Sequence, residues 1–195
     1  MAKRHEWPVM YDVLLRMFRT PERLLHSLRR RKTLEVLRGR ARPDSVLVVC
    51  HGNICRSPFA AALLRQALRP LVRVESAGFV RPNRAVPPEA IAAAGRRGVD
   101  LADHRSRLLT PDLARAADLI VVMDPVQQRH VRDRFGRAVR DLIVLGDLDP
   151  APPEGGRVRT IPDPIGQGSA VFETSYARIA RCIAGLVSVL VGQAR

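Results

Sequence analysis

Residues 45–58 read SVLVVCHGNICRSP, and this stretch decides the fold. Its apolar first half is typical of a short buried strand. The alanine-rich residues 58–68 that follow are typical of a helix. The loop between them therefore joins the carboxyl end of a strand to a helix N-terminus, where open α/β sheets bind their ligands. Unpaired N–H groups and the helix dipole favour an anion at such a position.

The rest of the chain alternates short apolar segments with amphipathic ones. A capping residue followed by proline supports helix starts at Ser57, Thr110 and Asp124. This alternation predicts an α/β fold in which a parallel sheet is covered on both faces. The predicted strands are 45–50, 72–75, 118–123 and 141–145, and the predicted helices are 58–68, 88–97, 111–117, 125–135 and 171–191.

The chain divides into two predicted parts, a basic helical N-terminal extension at residues 1–44 and a catalytic domain at residues 45–195. The extension holds twelve Lys/Arg against five Asp/Glu, and so contributes +7 of the net charge of +14. Leu24, Leu25 and Leu28 continue an apolar stripe along it. Two interpretations stay open. The extension packs on the domain or on a second copy, or it forms a basic amphipathic surface for an anionic membrane or an acidic partner.

Composition limits the class of function. Aromatic residues are 4% of the chain, so stacking surfaces for nucleic acid are scarce and we expect no nucleic-acid partner. Three cysteines are too few for a disulfide scaffold and indicate a reducing cytoplasm. No uninterrupted apolar run approaches the roughly 18 residues of a membrane span, and no secretory signal is recognisable. We therefore expect a cytoplasmic globular protein.

The loop after the first strand carries the groups that phosphoryl transfer to sulfur requires. The field of the helix N-terminus favours a thiolate, so Cys50 is predicted to be the nucleophile. Arg56 offers a planar fork for two phosphate oxygens. Gly52 lets the backbone approach the ligand closely. Ser57 is predicted both to cap the helix and to donate a hydrogen bond to the sulfur.

Cleavage of a phosphate ester also needs a proton for the leaving oxygen. Two Asp-Pro pairs, at Asp149 and Asp163, lie in a long Pro/Gly-rich loop at residues 146–170. Connections of this length inside compact domains are usually functional. Both aspartates are therefore candidates for the general acid.

Residues 50–58 resemble the active-site loop of the low-molecular-weight protein tyrosine phosphatase family. The resemblance spans about residues 45–192 and implies a four-stranded parallel sheet flanked by helices on both faces. It also implies hydrolysis through a phosphocysteine, with no metal and no cofactor. The other matching segments are 76–78, 98–101, 104–107, 117–124 and 163–164.

The resemblance assigns the acid. A glycine-rich turn and the start of the last helix follow Asp163 as they follow the catalytic aspartate of the family. Asp163 is therefore predicted to protonate the leaving group and then to activate water, and Asp149 is predicted to form a turn. Together with Cys50 and Arg56, Asp163 completes the predicted catalytic set.

Further roles follow from the same resemblance. Asn53 would brace the loop through hydrogen bonds that involve Ser76 and His104. Cys55 would form a reversible disulfide with Cys50. The predicted substrate-binding residues are His51, Gly52, Asn53, Ile54, Cys55 and Ser57.

The substrate is predicted to be a phosphorylated protein or a phosphorylated small molecule. The family's phosphotyrosine enzymes usually carry an aromatic residue where this chain has Ile165, so Phe79, Ile165 and His51 are the candidate apolar walls. Arg81 and Arg84 would instead favour an acidic peptide or a phosphorylated small molecule. A zinc site at His51 and the loop cysteines is not expected, because no second ligand pair exists.

Three other functions are compatible with parts of this sequence. An arsenate reductase on this fold needs a further redox cysteine pair, and residues 79–181 contain no cysteine. A phosphoarginine phosphatase of the family is expected to have threonine at the position of Ile54, so Ile54 favours an ester. A vestigial phosphate-binding module would not need Cys50, Arg56 and Asp163 together.

Overall fold

The structure is a computed structural model, and it describes residues 24–153 and 158–193. The strands are β1 (Ser45–Cys50), β2 (Arg73–Gly78), β3 (Leu119–Val122) and β4 (Leu142–Val144). They form a parallel sheet in the order β2-β1-β3-β4, which confirms the predicted four-stranded parallel sheet. Residues 1–23 of the predicted extension lie outside the described residues.

Helices cover both faces of this sheet, as predicted. The helices are α1 (24–38), α2 (Arg56–Leu68), α3 (Pro88–Gly95), α4 (Pro111–Ala116), α5 (Pro125–Phe135) and α6 (Ser169–Val191). Successive side chains of a strand point to opposite faces, so Val46 and Val48 join the apolar cluster with α2, α3 and α6. Leu47 and Val49 join the second cluster, with α4 and α5. Every residue of β1 is buried as a result.

The predicted helix starts are confirmed at two of three positions. Thr110 Oγ1 accepts a hydrogen bond from Leu113 N at 3.3 Å, and Asp124 Oδ1 accepts one from Gln127 N at 2.8 Å. The cap predicted at Ser57 is wrong, because α2 begins at Arg56 and has no side-chain cap.

Helix α1 packs on the domain although it lies in the predicted extension. Leu34 and Leu37 join the apolar cluster that contains α2 and α6. His26 Nε2 hydrogen bonds to the main-chain oxygen of Asp149 at 2.9 Å. Arg30 Nε donates to the main-chain oxygen of Leu148 at 3.2 Å. Helix α1 therefore contributes to the same core as the sheet.

Helix α6 is the one helix within the described ranges that is long and apolar enough to cross a membrane, by length and composition only. Half of its most apolar window is buried inside the protein. Phe172, Tyr176 and Leu186 of this helix are fully or almost fully buried in the cluster with α2. The Tyr176 ring stacks on Phe59 of α2 with ring centroids 4.1 Å apart. We therefore describe α6 as a core helix of the domain.

Asp149 does more than form a turn. Its Oδ1 accepts a hydrogen bond from Ala151 N at 3.1 Å, which is the predicted turn contact. Its side chain is also completely buried, and Oδ2 accepts a hydrogen bond from Arg178 Nε at 2.8 Å. Arg181 NH2 lies 3.3 Å from the same oxygen. The sequence showed the turn but not this buried ion pair, because its partners lie on α6.

Replacing Asp149 by alanine should destabilise the protein strongly, because the buried Arg178 would lose its only carboxylate partner among the described residues. We expect the free energy of unfolding, measured by urea denaturation, to fall by about 3 kcal/mol or more. Asp112→Ala is the matched control, since Asp112 is 88% exposed and pairs with Arg115 on the surface. Its loss should stay below about 1 kcal/mol. Equal losses would contradict the buried ion pair as a stabilising contact.

Candidate active site

Cys50 is the last residue of β1, and its side chain is buried. Ser57 Oγ donates a hydrogen bond to Cys50 Sγ at 3.1 Å, as predicted. Ser57 is itself fully buried in the first turn of α2. A hydroxyl held in this way stabilises negative charge on the sulfur. The geometry therefore suits a nucleophilic thiolate.

Arg56 connects the loop to the segment that contains Asp163. Its side chain is 5% exposed, and NH1 donates to the main-chain oxygen of Ile161 at 3.1 Å. NH2 forms an ion pair with Asp163 Oδ2. The two residues are 107 positions apart in sequence, so only the fold brings them together. The Asp163 carboxyl is 41% exposed and thus remains accessible to a ligand.

Asn53 braces the loop through hydrogen bonds of its side chain and main chain. Its backbone lies in the left-handed region, at φ 51°. Its Nδ2 donates to Ser57 Oγ and to Ser76 Oγ, both at 2.9 Å. Its Oδ1 accepts from Arg107 N at 2.9 Å, and its main-chain oxygen accepts from His104 Nε2 at 2.9 Å. These contacts match the predicted brace. Arg107 joins through its backbone, which the sequence did not indicate.

His104 acts here as a structural donor. Burial lowers the pKa of its imidazole, and this effect outweighs the hydrogen bond to Asn53, which raises the pKa. A main-chain oxygen can only accept, so Nε2 carries the proton of the neutral ring. A neutral donor in this place agrees with the predicted structural role.

Gly78 lets β2 approach the loop. A Cβ at this position would lie 2.7 Å from Asn53 N and 2.9 Å from His51 O, closer than such atoms normally come. Both of those atoms belong to the backbone, which cannot move aside as a flexible side chain could. The Ser-Ala-Gly segment at the end of β2 therefore needs glycine in its last position.

Cys55 lies in the same loop but is a different kind of thiol. Burial raises its pKa well above the ordinary value, and the charge of Cys50 raises it further. The main-chain oxygen of Cys55 accepts a hydrogen bond from the buried Tyr176 hydroxyl at 3.1 Å. Cys50 and Cys55 are both free thiols in this structure, and the predicted disulfide between them stays a prediction.

A cavity of about 100 Å³ collects most of the predicted site residues. Asn53 and Ser57 are absent from its lining and act on it through the hydrogen bonds described above. Phe79 is not in the lining either; its ring packs edge-on against His130 at 4.7 Å between centroids, and its role as a wall for the substrate ring stays a prediction. The lining residues are Cys50, His51, Gly52, Ile54, Cys55, Arg56, Arg84, Asp163 and Ile165.

The site thus combines a nucleophile, a forked cation and a carboxyl group around a space of phosphate size. Residues 24–153 and 158–193 contain no group of three or more His, Cys, Asp or Glu side chains arranged to hold a metal ion. The chemistry available from the described side chains is nucleophilic attack by sulfur with proton transfer by a carboxyl group.

Comparison with known proteins gives consistent matches. Residues 45–194 match the family model for low molecular weight phosphotyrosine protein phosphatase. A probable low molecular weight protein-tyrosine-phosphatase, EpsP of Ralstonia solanacearum, is 38% identical over 138 residues, which are 70% of this chain and 89% of that protein.

Solved structures agree with the sequence matches. The tyrosine phosphatase Wzb from Escherichia coli, in complex with sulphate, superposes with a TM-score of 0.67 at 29% identity, over 75% of this chain and 97% of that one. The YwlE arginine phosphatase from Geobacillus stearothermophilus superposes with a TM-score of 0.65 at 29% identity, over 75% and 92% of the two chains. The structural neighbours therefore include both a tyrosine phosphatase and an arginine phosphatase.

Replacing Gly78 by alanine should weaken anion binding, because the new Cβ would push the backbone of the loop at Asn53. We expect the affinity for inorganic phosphate, measured by titration calorimetry, to fall by about tenfold or more. Gly95→Ala is the control, since a Cβ there meets nothing within 4 Å. Wild-type phosphate affinity in Gly78→Ala would show that the close approach is not required.

Proposed function

Because the chain belongs to the low molecular weight phosphotyrosine protein phosphatase family, we propose that it hydrolyses phosphate monoesters, and protein phosphotyrosine in particular, through a phosphocysteine. One observation supports this proposal above all. Cys50, Arg56 and Asp163 line a single cavity of about 100 Å³.

In the first step the Cys50 thiolate attacks the phosphorus atom. A sulfur–phosphorus bond forms, the bond from phosphorus to the ester oxygen breaks, and Asp163 gives its proton to the leaving oxygen. In the second step water attacks the phosphocysteine while Asp163 accepts a proton from it. The sulfur leaves as a thiolate that Ser57 stabilises through its hydrogen bond, and inorganic phosphate is released.

Arg56 has two roles in this sequence. Its contact with the main-chain oxygen of Ile161 holds the guanidinium in place before substrate arrives. A phosphate dianion in the cavity competes with Asp163 for the same guanidinium, since both are bidentate anionic acceptors. Substrate binding thereby frees the Asp163 carboxylate, which takes up a proton from solvent and then donates it to the leaving oxygen.

Ile54 and Ile165 favour an aryl ester over phosphoarginine. Both side chains line the cavity, and neither has a polar atom that could accept a hydrogen bond from a guanidinium. Ile54 is 4% exposed and Ile165 is 42% exposed, so one apolar wall lies deep and the other at the rim. Two apolar walls suit the ring of phosphotyrosine.

The rival functions have less support. The third cysteine of the chain, Cys182, is fully buried in α6, so it cannot supply the accessible redox partner that an arsenate reductase needs. A phosphorylated small molecule remains the alternative substrate, and a panel of phosphotyrosine peptides, phosphoarginine and sugar phosphates tests it. The cytoplasmic location stays a prediction from the cysteine content.

Replacing Cys50 by serine should abolish hydrolysis of both p-nitrophenyl phosphate and a phosphotyrosine peptide while the protein stays folded. Asp163→Asn should lower kcat/KM, which reports the first step, by about 10²–10⁴-fold on the peptide and by less on p-nitrophenyl phosphate. The difference arises because p-nitrophenolate leaves readily without protonation, whereas the tyrosine phenolate does not.

Two outcomes would count against the mechanism. One is wild-type activity in Cys50→Ser. The other is an equal loss of kcat/KM on both substrates in Asp163→Asn, which would indicate a structural role for Asp163 in place of proton transfer to the leaving oxygen. Asp103→Asn, at an exposed position away from the cavity lining, serves as the control and should leave both rates unchanged.

We also propose that α1 binds an anionic phospholipid surface. Leu24, Leu25 and Leu28 are 65%, 46% and 52% exposed, although leucine is usually buried. The exposed Arg31 and Lys32 follow on the same helix. Apolar side chains next to basic ones are the combination that anchors a helix in a membrane interface. An acidic protein partner would need the charges but not the leucines.

Binding to phosphatidylserine-containing vesicles should be lost when Leu25 and Leu28 are both replaced by serine. We use point variants because deletion of residues 1–44 would also remove Leu34 and Leu37 from the core. Val126→Ser is the control, since Val126 is 62% exposed on α5. At low salt, co-sedimentation with vesicles should fall in the leucine variant but not in the Val126 variant. High salt should lower co-sedimentation of the wild type. Equal co-sedimentation of the wild type and both variants at low salt would contradict the proposal.

A further inference from the structure

Arg84 brings a second guanidinium to the cavity of Cys50 and Arg56. It lines that cavity, and its NH1 atom lies 3.4 Å from the position that a Cβ on Gly52 would occupy. Arg81, three residues earlier on the same loop, is exposed and does not line the cavity. The sequence analysis treats both arginines as candidates for binding an acidic substrate, and the structure distinguishes between them.

A network of hydrogen bonds around Ser106 holds Arg84 in place. The buried Ser106 Oγ accepts from Arg84 N and donates to the main-chain oxygen of Arg81, both at 2.9 Å. Ser106 N donates to the main-chain oxygen of Arg84 at 2.9 Å, and Asn83 N donates to that of Ser106 at 2.6 Å.

The loop that carries Arg84 also has an unusual backbone. Arg81 and Asn83 have positive φ values of 46° and 61°. Asparagine adopts this left-handed conformation more readily than most residues, whereas in arginine it carries a cost that surrounding contacts must offset. The loop therefore presents Arg84 at a defined position, as a binding residue requires.

The two guanidinium groups of the cavity differ in their partners. Arg56 pairs with Asp163 and donates to the main-chain oxygen of Ile161. In the described part of the chain, the Arg84 side chain makes no ion pair and no hydrogen bond, and only its main-chain atoms are bonded. A half-buried guanidinium beside the cavity is thus available to an acceptor on a bound molecule.

We propose that Arg84 is a specificity-determining residue that binds a carboxylate next to the phosphorylated residue, so that phosphotyrosine flanked by Asp or Glu is preferred. The proposal rests on the phosphatase function proposed above. Arg56 and the N–H groups of the loop already match the phosphate, so the second cation is left for another acidic group of the substrate. The net charge of +14 attracts acidic peptides in general, whereas a positioned guanidinium selects where the acidic residue lies.

The test compares two phosphotyrosine peptides, one with acidic residues beside the phosphotyrosine and one with alanines in their place. The wild type should show a higher kcat/KM for the acidic peptide. Arg84→Gln should lower the ratio of the two kcat/KM values by about five- to tenfold, and Arg84→Lys should restore part of it because the charge returns. Arg81→Gln removes the same charge from the same loop outside the cavity and should keep the wild-type ratio.

The proposal would be overturned by an unchanged ratio in Arg84→Gln or by the same loss in Arg81→Gln. It would also be overturned if Arg84→Gln lowered kcat/KM equally for both peptides and for p-nitrophenyl phosphate, because Arg84 would then hold the phosphate itself. Failure of the phosphatase function looks different. The wild type would then hydrolyse none of the three substrates, which would remove both proposals.

Discussion

Asn53 adopts its left-handed conformation in a fully buried position, and the loop around Cys50 depends on the hydrogen bonds that hold it there. Its amide joins Ser57 of α2, Ser76 of β2 and the backbone of Arg107. Each buried polar group left without its partner would cost about 1–3 kcal/mol. The same amide orients the Ser57 hydroxyl, which in turn contacts the sulfur. The Asn53 side chain therefore holds the loop in shape and also positions the hydroxyl that stabilises the thiolate.

The segment before Asp163 is held from two sides. Arg178 of α6 donates to main-chain oxygens within residues 158–160, and Arg56 donates to that of Ile161. Arg178 is itself anchored by its buried pair with Asp149. The carboxyl group of the proposed acid is thus supported by the core helix and by the phosphate loop together. This double support places it next to the cavity although it belongs to a long loop.

The main elements could be predicted because they depend on local patterns. Strand β1 and helix α5 have the bounds that apolar runs and a capping aspartate indicated. The cap predicted at Ser57 is wrong because α2 already begins at Arg56, and the Ser57 hydroxyl donates its hydrogen bond to the sulfur of Cys50. The contact of the Phe79 ring with His130 on α5 was likewise not visible in the sequence, because it joins distant elements.

The groups of the loop at residues 50–57 could be predicted from the sequence alone, because a strand, a short turn and a helix N-terminus contain them within a few residues. The conformation of the loop also depends on Ser76 and Arg107, which are distant in sequence. Contacts between distant residues needed the tertiary structure. Neither the pair of Arg56 with Asp163 nor the position of Arg84 could be read from spacing. Local sequence determines backbone direction, whereas the meeting of distant side chains depends on how the elements pack around one sheet.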